Sequence, residues 1–170
     1  IGGGGALVFP STETSNGNLL LGGGTLGTEG SGASIKFTAG GDNAVTTTGS
    51  GSSGISYQTI GGGGGYTGST TANAELGGYF RGTSSGADLT ISSQIDSTTT
   101  GINAAAFMVQ SLGGGGGRVG DVGGNANLGG TSGLLDTPTA KGGYLNITLN
   151  SDLTSIGDRG AGAIVQTIGG

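Results

Sequence analysis

The side chains that could perform chemistry are the ten acidic residues, because the chain contains no histidine and no cysteine. That composition removes the usual metal ligands, the Ser-His-Asp triad and thiol catalysis. It leaves open a pair of carboxylates, the arrangement that hydrolyses glycosides. Asp96 and Asp152 are the candidates for such a pair, because they occupy equivalent positions in an internal repeat. Side by side they would repel or share a cation, but we favour solvated turns in which each accepts hydrogen bonds from local backbone amides.

Two glycine-rich stretches could be mistaken for ligand-binding loops. GGGGGRVG at 113–120 lacks the Gly-Lys-Ser/Thr ending and the following helix of a phosphate loop. The calcium-binding nonapeptide of β-rolls occurs in tandem, whereas GGDNAVTTT at 40–48 and GGRVGDVGG at 116–124 are faint matches that do not recur. We therefore expect no cofactor, no metal and no enzymatic activity.

The composition indicates an ordered, weakly charged protein that is rich in glycine. Glycine accounts for 45 of 170 residues, charged residues for 9% and hydrophobic residues for 32%, the last clustered in short runs. Disordered segments usually combine low hydrophobicity with high net charge, so we favour a folded chain. The net charge of −5 and the five scattered basic residues argue against nucleic acid as a partner. No apolar stretch approaches the roughly 20 residues of a membrane span, so no membrane insertion is expected.

A phrase that ends in a run of glycines recurs along the chain. The apolar residues before the runs are spaced by 59, 52 and 56 residues, and they are Ile1, Ile60, Leu112 and Ile168. These markers define a single repeat domain, 1–170, with units at approximately 1–59, 60–111 and 112–167. Because the sequence opens and closes within the phrase, we expect a mature product or a piece of a longer protein, continuous with further repeats or stacked on other copies.

The two best-matched segments, 89–114 and 145–170, align over 26 residues without a gap. The matched pairs are Leu89/Leu145, Ile91/Ile147, Asp96/Asp152, Thr98/Thr154, Gly101/Gly157, Ala105/Ala161, Val109/Val165 and Gln110/Gln166. The first unit, from Ile35, fits the same alignment after a two-residue insertion before Thr46. The alignment predicts which residues of successive repeats lie beside each other.

The elements that must position these residues are short β-strands. SIKFT at 34–38, DLTIS at 88–92 and YLNITL at 144–149 alternate apolar and polar residues, the period of a half-buried strand. Turn residues separate the strands, and glycine interrupts every window of helical length. We therefore predict an all-β chain, a β-solenoid whose coils stack about 4.8 Å apart. Because a repeat of about 55 residues is long for one coil of usual size, two or three coils per repeat are expected.

The glycine runs and the glutamines before them are predicted to hold the repeats together. A glycine can turn a corner with positive φ or let two backbones approach closely. The runs could pair with each other through backbone groups or adopt an extended left-handed polyglycine conformation, and the glutamines could form a ladder of stacked amides. The predicted structural and assembly residues are Gly61, Gly62, Gly63, Gly64, Gly65, Gly113, Gly114, Gly115, Gly116, Gly117, Gln58, Gln110 and Gln166.

The phrases VQSLGGGGG at 109–117 and VQTIGG at 165–170, together with the pattern T-T-G-x-x-A-x-A, carry a family resemblance. The chain resembles the glycine-rich repeats of giant bacterial autotransporter and haemagglutinin-like surface adhesins, over essentially its whole length. The resemblance implies an extracellular passenger that folds as a β-helix-like stalk and is adhesive or fibre-forming. The secretion signal and outer-membrane barrel of that family belong outside this piece, or else the chain is a separate subunit that polymerises.

The leading functional hypothesis is a self-associating structural or adhesive fibre outside a bacterial cell, with copies of itself and surface glycans or other cells as partners. The alternative is a carbohydrate-active or carbohydrate-binding β-helix of the phage-tailspike type. Five aromatic residues could line a sugar-binding face, although we expect them to pack in the core or at corners: Tyr57, Tyr66, Tyr79, Phe80 and Tyr144. An ice-binding face would need regular Thr-x-Thr, but TTT at 46–48 and 98–100 becomes TSI at 154–156.

Overall fold

The computed structural model describes residues 5–7, 19–21, 30–67, 70–76, 79–80, 84–119, 122–128, 131–132 and 140–169, and Ile1 lies outside them. This described part is all-β, as predicted, and contains no helix, so none that is long and apolar enough to cross a membrane. In chain order the strands are β1 (Gly5–Leu7), β2 (Leu19–Leu21), β3 (Ile35–Ala39), β4 (Ala44–Thr47), β5 (Ile55–Ile60), β6 (Gly64–Thr67), β7 (Ala74–Leu76), β8 (Tyr79–Phe80), β9 (Leu89–Ser93), β10 (Asp96–Thr99), β11 (Ala105–Leu112), β12 (Gly116–Val119), β13 (Ala126–Leu128), β14 (Thr131–Ser132), β15 (Leu145–Leu149), β16 (Leu153–Ser155) and β17 (Ala161–Ile168).

The strands form parallel sheets in which each member comes from a different repeat. We call β1–β5 the first repeat, β6–β11 the second and β12–β17 the third. The sheet orders are β1-β6-β12, β2-β7-β13, β3-β9-β15, β4-β10-β16, β5-β11-β17 and β8-β14. Within the described ranges no two strands of the same repeat are hydrogen-bonded neighbours. The expectation of two or three coils per repeat is therefore wrong, because the length of a repeat is taken up by as many as six short strands that belong to different sheets.

The register of strand pairing reproduces the alignment of the repeats. Leu89 lies opposite Leu145, and Gln110 lies opposite Gln166. β3 pairs with β9 at a difference of 54 residues (89 minus 35), and β4 pairs with β10 at a difference of 52 (96 minus 44). The two extra residues of the first repeat therefore lie between β3 and β4. The alignment is confirmed, including the insertion before Thr46.

The hydrophobic core is shared by the sheets of β3-β9-β15, β4-β10-β16 and β5-β11-β17. Its buried members are Ile55, Leu89, Ile91, Phe107 and Val109. Along β9 buried and more exposed residues alternate, which confirms a half-buried strand. β11 differs, because all eight of its residues are buried. A strand covered on both faces has a nearly continuous apolar sequence, and AAFMV at the start of β11 fits that rule.

Candidate functional site: the glycine corner and the glutamine ladder

Each five-glycine run is divided between a corner and the start of a strand. In the first run, Gly62 and Gly63 have φ of 82° and 89°, and the last two glycines begin β6. In the second run, Gly114 and Gly115 have φ of 76° and 93°, and the next two glycines begin β12. A left-handed extended helix needs φ near −75°. That alternative is wrong at these four glycines, which turn the chain between one strand and the next.

The last two glycines of each run, which begin β6 and β12, pair with each other. Gly64 lies opposite Gly116 and Gly65 opposite Gly117, and β1 continues the same sheet from Gly5. These are the backbone contacts that the sequence suggested as the first alternative. The two runs are therefore adjacent in successive layers of the same sheet.

Side chains are excluded at the corner because backbones from different repeats lie against each other there. A Cβ on Gly62 would lie 2.8 Å from the nitrogen of Gly115, closer than real Cβ contacts. A Cβ on Gly61 would lie 2.7 Å from the carbonyl oxygen of Ser84, and one on Gly113 would lie 2.5 Å from that of Lys141. Only glycine fits these places without displacing another backbone.

The corner backbone is also hydrogen-bonded to neighbouring layers. Gly61 N donates to Leu112 O at 2.9 Å, and Gly113 N donates to Ile168 O at 2.8 Å. Gly114 N donates to Ser84 O at 2.8 Å. These bonds keep buried amides paired, as a buried backbone requires. The entropy that the glycines lose on folding is thus offset by close contact between backbones.

The three predicted glutamines are brought together in a single column. Gln58 Nε2 donates to Gln110 Oε1 at 2.6 Å, and Gln110 Nε2 donates to Gln166 Oε1 at 2.6 Å. Gln110 is buried, so both of its bonds replace contacts with water that folding removes. The column has a direction, because each amide nitrogen donates to the repeat that follows it in sequence.

The hydroxyl residue that follows each glutamine forms hydrogen bonds on the opposite face of the same strand. Thr59 Oγ1 accepts a hydrogen bond from Ala87 N at 3.1 Å. Ser111 Oγ donates to Ala87 O at 2.9 Å and accepts from Gly143 N at 2.7 Å. Thr167 Oγ1 donates to Gly143 O at 2.8 Å. Sequence reasoning did not single out these hydroxyls, although a threonine or serine follows the glutamine in all three phrases.

Five further side chains bind the backbone of their own counterparts in the next repeat. The Oδ1 atom of Asp88 accepts from Tyr144 N, that of Asp96 from Asp152 N and that of Asn73 from Asn125 N, over 2.8, 2.8 and 2.9 Å. The Oγ atom of Ser31 accepts from Ser85 N at 3.3 Å, and that of Ser85 from Lys141 N at 3.1 Å. A bond from Gly30 N to Ser84 Oγ runs in the reverse direction. Of these five residues the sequence pattern points only to Asp96, although Ser31 and Asn73 recur as Ser85 and Asn125 at equivalent positions.

Asp96 and Asp152 lie beside each other in neighbouring repeats, next to the pair Ser97 and Leu153. Asp96 accepts the backbone amide of Asp152, the role that we favoured, but the amide belongs to the next repeat. Asp96 also lines an open polar cleft of about 450 Å³, with Asp42, Asn43, Gln94 and Asn150 among the other lining residues. No aromatic side chain from the described ranges lines it, and no three acidic residues gather at one place in the part of the chain that the structure describes.

The two candidate aromatic residues whose side chains are described, Tyr57 and Tyr144, have different environments. The ring centroid of Tyr57 lies 5.0 Å from that of Phe37 and 6.0 Å from that of Phe107, which confirms core packing for this residue. Burial raises the pKa of Tyr57 above its usual 10.0. Core packing is wrong for Tyr144, which is 72% exposed. The side chains of the remaining candidates, Tyr66, Tyr79 and Phe80, lie outside the described part.

The threonines on β4, β10 and β16 form one complete column. Thr98 lies opposite both Thr46 and Thr154. The residue two places further along is threonine in the first two repeats and Ile156 in the third. The regular Thr-x-Thr pattern is therefore interrupted at Ile156, as the sequence indicates.

A comparison of the chain with protein-family models, with curated proteins and with solved structures finds no match. The residues of the candidate site are donors, acceptors and bare backbone that join one repeat to the next.

Proposed function

We propose that the chain is a β-solenoid and that its function is structural: it forms a self-associating, adhesive fibre outside a bacterial cell, without enzymatic activity. The observation that carries the proposal is the glutamine column, in which side chains of three repeats are joined in register along one direction. Such a ladder serves cohesion between layers. Five further side chains, Asp88, Asp96, Asn73, Ser31 and Ser85, also bind the neighbouring repeat.

The surface location and the adhesive role rest on the resemblance of VQSLGGGGG and VQTIGG to surface adhesin repeats. A fibre suits this architecture because five of the six sheets in the described part contain one strand from each repeat, so adding a layer extends these sheets together. Repeat stacks of this kind grow in one dimension and are stabilised by nearest-neighbour contacts. The open cleft beside Asp96 lacks described aromatic lining, and this weighs against the carbohydrate-active alternative.

Small-angle scattering and electron microscopy of the purified chain over a range of concentrations test the fibre. We expect particles that lengthen in one dimension as concentration rises, and a diffraction spacing of about 4.8 Å along the long axis of the fibre. Compact particles with the mass of a single chain at every concentration would contradict the proposal. A spacing at right angles to the long axis would show a fibre of another kind.

The surface location is tested separately on the cells that make the protein. Antibodies raised against the purified chain should label intact cells, and added protease should release the label. Labelling that requires permeabilised cells would overturn the extracellular assignment while leaving the fibre itself in place.

A further inference from the structure

The two ends of the repeat stack carry complementary hydrogen-bonding groups. At the first repeat the carbonyl Oε1 of Gln58 accepts no hydrogen bond from any described residue, while its Nε2 donates to Gln110. At the third repeat the Nε2 of Gln166 is the group without a described partner, while its Oε1 accepts from Gln110. The stack therefore ends in an acceptor on one side and a donor on the other.

The third repeat also exposes apolar side chains that the second repeat buries. Val165 is 51% exposed, whereas Val109 at the same position is fully buried. Ile168 is 49% exposed, whereas Leu112 opposite it is buried. The strand β17 lies at the edge of its sheet, and edge strands present unpaired backbone groups that another strand can bind.

The first repeat offers a matching surface at the opposite edge. In the register that already joins the repeats, the partly buried Tyr57 is the counterpart of Val165. Ile60, the counterpart of Ile168, is already fully buried within its own chain and adds nothing to this surface. Ile35 and Phe37 on β3 correspond in the same way to Leu145 and Ile147 on β15, and all four are partly buried. Apolar residues thus face apolar residues when the third repeat meets a first repeat.

We propose that the third repeat of one copy binds the first repeat of a second copy, strand on strand, in the register that joins repeats within the chain. Gln166 Nε2 then donates to Gln58 Oε1 of the second copy, and the glutamine column continues across the junction. The proposal rests on the proposed fibre and adds its polarity: the contact is head to tail and does not close on itself, so copies add in one direction.

Cysteine cross-linking tests this junction cleanly, because the chain has no cysteine of its own. Two variants, Gln58→Cys and Gln166→Cys, are purified separately, mixed and mildly oxidised. Adjacent parallel strands place paired Cα atoms about 4.8 Å apart, within the range that a disulfide spans. We expect the mixed disulfide dimer to exceed each homodimer by about tenfold, because neither variant can pair with itself across a head-to-tail junction.

Two controls test whether cross-linking reflects non-specific association or damage to the glutamine column. Gln110→Cys has both of its neighbours within its own chain, and it should form no intermolecular disulfide. The pair Thr46→Cys and Thr154→Cys moves the test to exposed positions on another sheet, where the fold should tolerate the change. This second pair should again give the mixed dimer.

The outcomes distinguish the junction from the fibre. Filaments in which both pairs give a statistical mixture of disulfides, or homodimers alone, would overturn the head-to-tail register and leave the fibre standing. Chains that stay single by scattering and form no mixed dimer would overturn both. Mixed dimers from both pairs would support the junction.

Discussion

The strands β11 and β17 occupy the same place in successive repeats, yet their environments are opposite. Both carry alanine at the start and Val-Gln before a hydroxyl residue. All eight residues of β11 are buried, whereas none of those of β17 is. The difference lies in the neighbouring layers, because β11 has β5 on one side and β17 on the other, while β17 has β11 alone. A single repeat cannot bury its own apolar residues, so stability depends on the contact between repeats.

The largest expected difference in stability is between substituting a glycine held between layers and substituting a glycine at the open edge. Gly62→Ala places a methyl group 2.8 Å from a backbone nitrogen at a residue whose φ is 82°, and should lower the free energy of unfolding by about 3 kcal/mol. Gly162→Ala is the control, because a Cβ there meets only Leu153 O, at 3.8 Å. Chemical denaturation measures both. Equal stability of the two variants would mean that the corner backbones do not touch.

A valine pair sharpens the comparison between the buried and the exposed layer. Val109→Ala removes buried methyl groups from the core and should cost about 2 kcal/mol. Val165→Ala, at the equivalent position of β17, should cost less than about 0.5 kcal/mol, because its side chain is already half exposed. Thermal and denaturant unfolding of the two purified variants checks the ranking. Similar losses would show that position 165 is as buried as position 109.

The glutamine column offers a smaller contrast of the same kind. Gln110→Ala deletes two side-chain hydrogen bonds and should cost about 1.5 kcal/mol, since two neighbouring amides each lose a partner. Gln166→Ala deletes one bond at the open edge and should cost about 0.5 kcal/mol. If the edge variant proves the more damaging in dilute, single-chain solution, the column is not arranged as described.

The smallest expected effect is a pH dependence at Tyr57. Because burial raises the pKa of its phenol above 10.0, the folded chain holds the proton to a higher pH than the unfolded chain. The corresponding stability is complete below the unfolded value and is lost as the pH rises through the folded value. Stability measured from neutral to strongly alkaline pH should fall less in Tyr57→Phe than in the parent chain. An identical fall in both would place this phenol in water.

The alignment of the repeats could be predicted from the sequence because the glycine runs and the Val-Gln phrase are marked clearly. The registers of Leu89 with Leu145 and of Gln110 with Gln166 follow directly from that alignment. The number of layers could not be predicted in the same way, since strand signals alone do not say whether successive strands stack on each other or lie in different sheets. Only pairing distances between repeats distinguish those arrangements.

Part of the candidate site could also be predicted from the sequence, for a similar reason. The same residue types, glutamine and glycine, stand at equivalent positions of successive repeats, so their grouping could be predicted. The acceptor roles of Asp88 and Ser85 could not, because their counterparts Tyr144 and Lys141 contribute only a backbone amide and share no side-chain chemistry. The inward role of Ser111 also depends on the position of Ala87 and Gly143, which no local pattern gives.

The most direct test of the stacked, in-register arrangement is a pair of double-cysteine variants oxidised in dilute solution. Thr98 lies opposite Thr154, so Thr98→Cys with Thr154→Cys should form an intramolecular disulfide in the folded chain. Thr98→Cys with Ser155→Cys moves one thiol by a residue, onto the other face of the strand, and should remain reduced. Mass spectrometry of the oxidised chains measures both. A disulfide confined to the first pair is the predicted result, and equal reactivity of the two pairs, or none in the first, would contradict the account.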